Sequence, residues 1–418
     1  MRSIVVLLSI VFLMIPLLAS GQTNGTNMIG YGTKSIAMGG ADVAWICDIN
    51  ALNINPAGIV FAESDSLGVH LGLMVPYGYH KDIFGNDLDG TVKIYPLPSA
   101  GYIHKFSPDL ALGIGMFAHG GMGGEFTNMN TVFGTTDTIK SEIMHLKGIL
   151  GLAYKIAPQL SIGATVDFSY AASTLLLYPE TSRMDMGFAG METTDLTATC
   201  VTFKAGLMYK ISDFLGFGAA YRSKTNLEFE GTTAVNFSSM PGLDKITFDT
   251  TMTGFNWPQQ LEFGITLTPA PFLTIALDAA WLNFEDTIWE SSVAMTAPAG
   301  YEMFNTTSTF YFHWNDMWVL AAGIDFHFSP SMAIQLGYNY GKNPIPEGYT
   351  NPLFGAIVEH HITAGFTYRT EGGTEYQLGG SFVPAKEVTY TNPTMPFGPG
   401  ANFKAMMFSF NFGINLPI

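Results

Sequence analysis

Few side chains in this sequence can hold an anion. Lys and Arg number 18 against 34 Asp and Glu, a net charge of −16. Four bases, Lys204, Arg222, Lys224 and Arg369, fall on the polar face of alternating segments. A cation set into a hydrophilic bore is chemistry for a carboxylate or another small anion. The same four could instead pair with Asp167, Glu228, Glu262, Asp278 or Glu359 and simply brace that face. There is no HExxH, GxSxG or P-loop, so no signature of a hydrolase or nucleotide-binding site. His360 and His361 point to opposite sides of one extended segment and cannot chelate a metal together. Cys47 and Cys200 lack zinc-ligand spacing and make no disulfide framework. The acidic balance argues against nucleic acid, whose phosphates require clustered bases. No catalytic residue, metal or cofactor is expected.

The elements that carry these bases are extended. From Gln159 to Tyr170, the residues Leu160, Ile162, Ala164, Val166, Phe168 and Tyr170 fall on one face, and Ser161, Gly163, Thr165, Asp167 and Ser169 on the other. Ser331–Tyr340 and Gln260–Thr268 repeat the pattern. Such segments suit tilted membrane strands, with large apolar residues outward and small polar residues toward a wet lumen. After the N-terminus no run of ~18 apolar residues exists for a membrane helix, and only a closed barrel otherwise satisfies every backbone group in hydrocarbon. Tight breaks at Ser107-Pro108, Ala157-Pro158, Ser212-Asp213, Pro269-Ala270, Ser329-Pro330 and Glu371-Gly372-Gly373 alternate with longer stretches near 76–96, 119–141, 175–195, 232–245, 287–311, 342–357 and 388–401. The expected fold is therefore all-β, a transmembrane antiparallel barrel of fourteen strands over 66–418 with both termini periplasmic.

Arg2, the apolar run Ile4–Leu18 and the small residues Ala19-Ser20-Gly21 read as an export signal, 1–21, cleaved before Gln22. Residues 22–65 precede the first strand. They are rich in Gly and Ala yet hold Ile36, Met38, Trp45, Ile46, Leu52 and Ile54, as a small stopper, or hatch, inside the lumen would. Phe408, Phe410 and Phe412 alternate in the last strand like a signal for barrel assembly machinery, although the chain ends Leu416-Pro417-Ile418 without a terminal aromatic residue.

Several places in order along the chain resemble one family, the FadL-like outer membrane transporters of long-chain fatty acids and other hydrophobic compounds. They are Asn55-Pro56-Ala57-Gly58, similar to the family's NPA hatch motif; Tyr221-Arg222-Ser223-Lys224 with Leu227–Gly231; Trp257-Pro258-Gln259 with Ala276-Leu277-Asp278; and Asp316-Met317-Trp318 with Gly337–Tyr340. The resemblance implies passive, ligand-gated uptake across the outer membrane by a monomer whose partners are a fatty acid-like ligand and outer membrane lipid. It also implies a kinked third strand that opens a lateral gap, for which Gly113, Gly115, Gly120 and Gly121 are the candidates. Apolar loop residues Phe126, Met129, Phe304 and Phe354 could form a landing groove, or equally pack the loops. The head-group residues of the family do not map onto this chain. A monoaromatic hydrocarbon channel of the same fold, or a general porin or structural-adhesive barrel, are the alternatives.

Overall fold

The computed structural model describes residues 23–350, 352–390 and 399–418; the expected signal segment lies outside them. Fourteen strands form one antiparallel barrel. The first six are β1 Ser66–Lys81, β2 Tyr95–Ser107, β3 Leu110–Asn130, β4 Thr136–Ala157, β5 Leu160–Arg183 and β6 Phe188–Lys210. Four interrupted strands follow: β7 Leu215–Arg222 and Phe229–Asn236, β8 Lys245–Thr253 and Gln260–Ala270, β9 Leu273–Leu282 and Glu290–Thr296, and β10 Thr306–Tyr311 and Met317–Ser329. β11 Met332–Gly341, β12 His360–Arg369, β13 Glu375–Thr389 and β14 Asn402–Pro417 complete the ring. β14 closes on β1 over sixteen pairs, from Asn402 opposite Lys81 to Pro417 opposite Ser66.

Burial is inverted, as the alternation requires. On β5, Ile162, Val166, Phe168 and Tyr170 are exposed while Ser161, Thr165, Asp167 and Ser169 are buried. The same holds for Leu336 and Tyr338 against Gln335 and Asn339 on β11. An exposed apolar band of this extent is stable only against hydrocarbon. All six tight breaks are hairpin turns. The longer connections are more structured than expected. Residues 119–141 and 175–195 are mostly strand, with β3 and β4 joined at 131–135 and β5 and β6 at 184–187. Beyond the bilayer no lipid enforces the apolar face, so the ladder continues without its sequence signal.

Residues 24–62 fill the periplasmic half of the bore. They contain one short helix, α1 Thr33–Ala37, two 3₁₀ turns, Ile49–Leu52 and Pro56–Phe61, and most of a two-residue strand pairing, Thr23–Asn24 with Asn27–Met28, and are otherwise irregular. Buried backbone groups outside regular structure need partners, and the wall supplies them. Thr363 donates to the Ala37 carbonyl at 2.9 Å, Asn339 to Gly39 at 2.9 Å and Ser161 to Ala57 at 2.8 Å. The Asp278 carboxylate accepts from the Asp42 and Val43 amides at 2.6 and 2.9 Å. In the Asn-Pro-Ala-Gly motif, Asn55 caps the second 3₁₀ turn through the Ala57 amide at 3.2 Å. Its own amide donates to Val43 at 2.7 Å and to Leu207 of the wall at 3.0 Å. Pro56 takes the first position of that turn, where no N–H is required.

Such close docking needs a wall without side chains. A Cβ on Gly163 would stand 2.5 Å from the Ala57 amide, and one on Gly337 or Gly206 would overlap Gly39 or Asn55. Gly163→Val is therefore expected to unseat the Asn55–Ala57 turn and raise ion conductance in planar bilayers while heat-modifiable gel mobility still reports a folded barrel; unchanged conductance would contradict the close fit.

Burial of Asp42 leads to an expected pH dependence of docking. Burial raises its pKa well above the ordinary carboxylate range, the nearby Asp278 carboxylate adds to this, and Ser35 donates to it. Glu262 also disfavours its charge and Lys204 opposes that effect. A raised pKa in the docked state means that docking is strongest where Asp42 is protonated and weakens as pH rises above ~4, the value of a free carboxylate. Conductance is expected to increase from acidic to alkaline pH, and Asp42→Asn to flatten that rise. Parallel pH profiles for the two proteins would remove Asp42 from the account.

Candidate ligand site and lateral slot

Above the hatch, the inward faces of β4 to β10 enclose a cavity of about 410 Å³. Leu175, Leu177, Leu196, Met252, Val293, Phe255 and Phe312 are among its apolar walls. Its polar lining is hydroxyl-rich, including Ser141, Thr193, Thr233, Thr250 and Ser291. Among the described residues the lining has no Lys, Arg or His, and Glu142 is its one carboxylate. Glu142 is already paired, with Lys93 at 2.8 Å and Lys140 at 2.9 Å, and accepts from the Tyr95 hydroxyl at 3.2 Å. Burial works against the charge on Lys93, but its bonds to Glu125, at 2.5 Å, and Glu142 prevail and raise its pKa.

None of the four candidate cations lines this cavity. Lys204 donates to the hatch carbonyls of Asn53 and Ile54 at 2.6 and 2.5 Å, with Glu262 at 3.4 Å behind it. Arg222 donates to Asn53 at 2.9 Å and to Gln260 at 3.0 Å. The strand break after Arg222 carries Lys224 out of register, so it donates to the Asp286 carbonyl at 3.3 Å instead of facing the lumen, and Glu228 is exposed. Arg369 sits at the periplasmic end of β12 and pairs with Glu63. Both hatch-facing bases hold irregular backbone, Lys204 at Asn53 and Ile54 and Arg222 at Asn53.

The wall is incomplete between β2 and β3. Their ladder ends at Ser99 opposite Phe117, although β2 stays paired with β1 up to Tyr95 opposite Met74. Pro96 and Pro98 lie in this stretch and carry no N–H to offer. The opening is bounded above by the Thr91 amide, which donates to the Glu125 carbonyl at 2.8 Å, and by Lys93 reaching across to Glu125 and Glu142. β3 bulges against β4 between Ala118 and Gly120. There the hatch takes the place of β2, with Asn27 pairing with Gly120 and the Gly121 amide donating to Thr26 at 3.2 Å. Gly120 and Gly121 thus sit at the bulge. Gly113 and Gly115 do not, since both are in regular pairing with Ile103 and Gly101.

His119, the bulged residue, touches both parts. Its ring stacks on Tyr31 of the hatch at 5.3 Å, and its carbonyl accepts from the Tyr31 hydroxyl at 3.0 Å. Burial pushes that phenol up to about 12, so it remains a donor. Arg222 donates to His119 Nε2 at 3.1 Å, which leaves the ring proton on Nδ1; the Asn53 amide 3.3 Å away accepts it with Oδ1, which has no other partner among the described residues, set there in place of Nδ2. Behind the slot lies a second space of about 70 Å³, lined by Met74, Tyr95, Met122, Phe126 and Met407. The inward-folded stretch 352–358 divides the two spaces: Leu353 and Phe354 line the larger, Gly355 and Ala356 the smaller.

The four landing-groove residues separate. Phe126 and Met129 are fully buried because β3 extends past them and turns them inward. Phe304 stacks on Phe237, 4.6 Å away, in a distinct loop cluster. Phe354 lines the large cavity. Sequence reading missed Pro96, Pro98, His119, Lys93 and the threonines. The two prolines, two residues apart within a strand, were a usable sign of a missing ladder.

Residues 15–412 match the family model described as outer membrane protein transport protein (OMPP1/FadL/TodX). No curated protein sequence matches. Among solved structures, the toluene transporter TodX of P. putida superposes with a TM-score of 0.79 at 20% identity, over 93% of this chain and 99% of that one. A FadL homologue from Pseudomonas aeruginosa gives 0.77 at 16% identity over 94% and 99%. The toluene transporter TbuX of Ralstonia pickettii gives 0.75 at 18% identity over 93% and 99%. These likenesses agree with the barrel, and the family model covers nearly the whole chain, so this protein belongs to the OMPP1/FadL/TodX family of outer membrane transporters of hydrophobic compounds.

Proposed function

We propose that the protein passively conducts uncharged hydrophobic compounds from the upper cavity, past residues 352–358, through the slot between β2 and β3 and into the outer membrane. One observation carries this reading: a cavity of about 410 Å³ without a cation in its described lining is parted by residues 352–358 from the smaller space behind a break in the barrel wall. Each buried methylene favours such a site by ~0.8 kcal/mol, whereas a carboxylate without a partner is strongly disfavoured there. The long-chain fatty acid expected from the resemblance needs a cation, but Lys93 is held by both Glu125 and Glu142, and Lys140 by Glu142. Toluene, the compound named for two of the similar structures, makes no such demand. Hatch movement would couple cavity to slot, because His119 and Gly120 of the slot edge are bonded to Tyr31, Asn53 and Asn27 of the hatch.

Cells producing the protein are expected to take up labelled toluene several-fold faster than vector controls, with decanoate gaining less. An equal or greater gain for decanoate would return the reading to fatty acids, and large steady ion currents from the purified protein would favour a porin. Replacing Pro96 and Pro98 together by Ala restores two donors to β2. That change is expected to extend the β2–β3 ladder and slow toluene uptake several-fold while ligand binding in detergent stays unchanged. Uptake at the wild-type rate would place the exit elsewhere.

A further inference from the structure

Three of the cavity's polar groups form one chain. Thr193 on β6 and Thr233 on β7 are directly opposite each other, with hydroxyls 2.9 Å apart. Thr250 on β8 donates to Thr233 at 2.8 Å. All three line the cavity and all are buried. Two other hydroxyls of the lining are committed to backbone: Ser141 donates to Leu353 and Ser291 to the Thr253 carbonyl at 2.8 Å. In the threonine ladder, the single Thr250 proton serves Thr233 and, at 3.4 Å, the Phe248 carbonyl, and the bond shared by Thr233 and Thr193 uses one of the other two protons. One proton therefore remains over, whichever way the second bond runs, together with free acceptor positions on the oxygens. The facing walls, Leu177, Leu196, Met252, Phe255 and Phe312, are apolar. The arrangement is an uncharged hydrogen-bonded strip across from apolar walls, a pattern that orients a ligand with one polar end.

We propose that the Thr193–Thr233–Thr250 strip binds the oxygen of a hydrophobic ligand with one uncharged oxygen substituent, such as an alkylphenol, an aromatic alcohol or a ketone. This inference rests on the reading of the cavity as the ligand site and narrows the class of cargo. A site built around such a group favours ligands that carry it over analogues that lack it. An uncharged oxygen suits the strip better than a carboxylate, which would stand near Glu142 without a free counter-charge.

The test compares 4-ethylphenol with ethylbenzene, two compounds of nearly one shape, by calorimetric titration of the purified full-length barrel in detergent. Wild type is expected to bind 4-ethylphenol about three- to tenfold more tightly than ethylbenzene, the worth of one neutral hydrogen bond. Thr193→Val is expected to abolish that preference while ethylbenzene binds as before, and Thr193→Ser, which keeps the hydroxyl, to retain it. A purely structural strip would lower thermal stability in Thr193→Val without altering the ratio of the two affinities, and that result would overturn the proposal. So would equal affinities in wild type. If both compounds bind equally, only the oxygen-reading strip falls. If neither binds, the cavity is not the ligand site and the proposed path falls with it.

Discussion

The structure depends on how an irregular peptide is kept inside a barrel. Residues 24–62 have little helix or strand, so most of their amides and carbonyls find no partner within the segment. Buried without partners they would be strongly destabilising. The lumenal face of the barrel resolves this with side chains: Thr363, Asn339, Ser161, Asp278, Lys204 and Arg222 each meet a hatch backbone group. Two other features follow from the same requirement. Where the hatch runs against the wall, as at Gly163 and Gly337, the wall has no side chain to obstruct it. And Lys204 and Arg222 of the lower bore are committed to the hatch, while the described lining of the upper cavity holds no cation.

The fold was legible in the sequence because two faces of each strand obey opposite rules. Ile162 and Val166 must meet lipid while Ser161 and Thr165 must not, and that contradiction is written residue by residue. The hairpin turns were legible for a related reason, since Pro, Gly and Ser interrupt each run. Legibility ended where the lipid ended. From Leu175 to Asp195 nothing obliges the outer face to be greasy, so two long strand extensions read as a loop, and Thr193 was hidden within it. The bases were located but their tasks were not. Alternation put Lys204 and Arg222 inside the bore, as the structure does, yet it holds no information about the chain segment that lies there with them. Lys224 failed for a local reason: the strand stops after Arg222, and period two cannot be carried across a break.

The slot joins the wall to the hatch more closely than a simple gap would. Where β2 leaves β3, unpaired backbone would face the membrane interior, a situation bilayers do not tolerate. The Thr26 carbonyl and the Asn27 bridge complete β3 at that point, so the hatch is at once the stopper of the bore and a surrogate strand at the opening. A hatch that shifts must release both contacts together. Motion in the bore is thereby tied to the state of the wall without any long-range strain, through Tyr31 stacked on His119 and Asn53 bonded beside it.

The hatch also leaves behind a wall that can stand without it. Lys204 keeps Glu262 at 3.4 Å when its two hatch carbonyls depart, and Arg222 keeps Gln260 and His119. Removing one partner from a buried charge is ruinous when nothing else remains. Here each base has a second partner on the barrel itself, so undocking exchanges bonds instead of stranding a cation. The Asp42 and Asp278 carboxylates work in the other direction, since their proximity disfavours charge on Asp42 and keeps the docked state from being too deep a well. Both arrangements of the bore are then chemically acceptable, which is what the proposed passive conduction would require. A ligand need supply only the difference between them, and a few buried methylenes are of the right order for that.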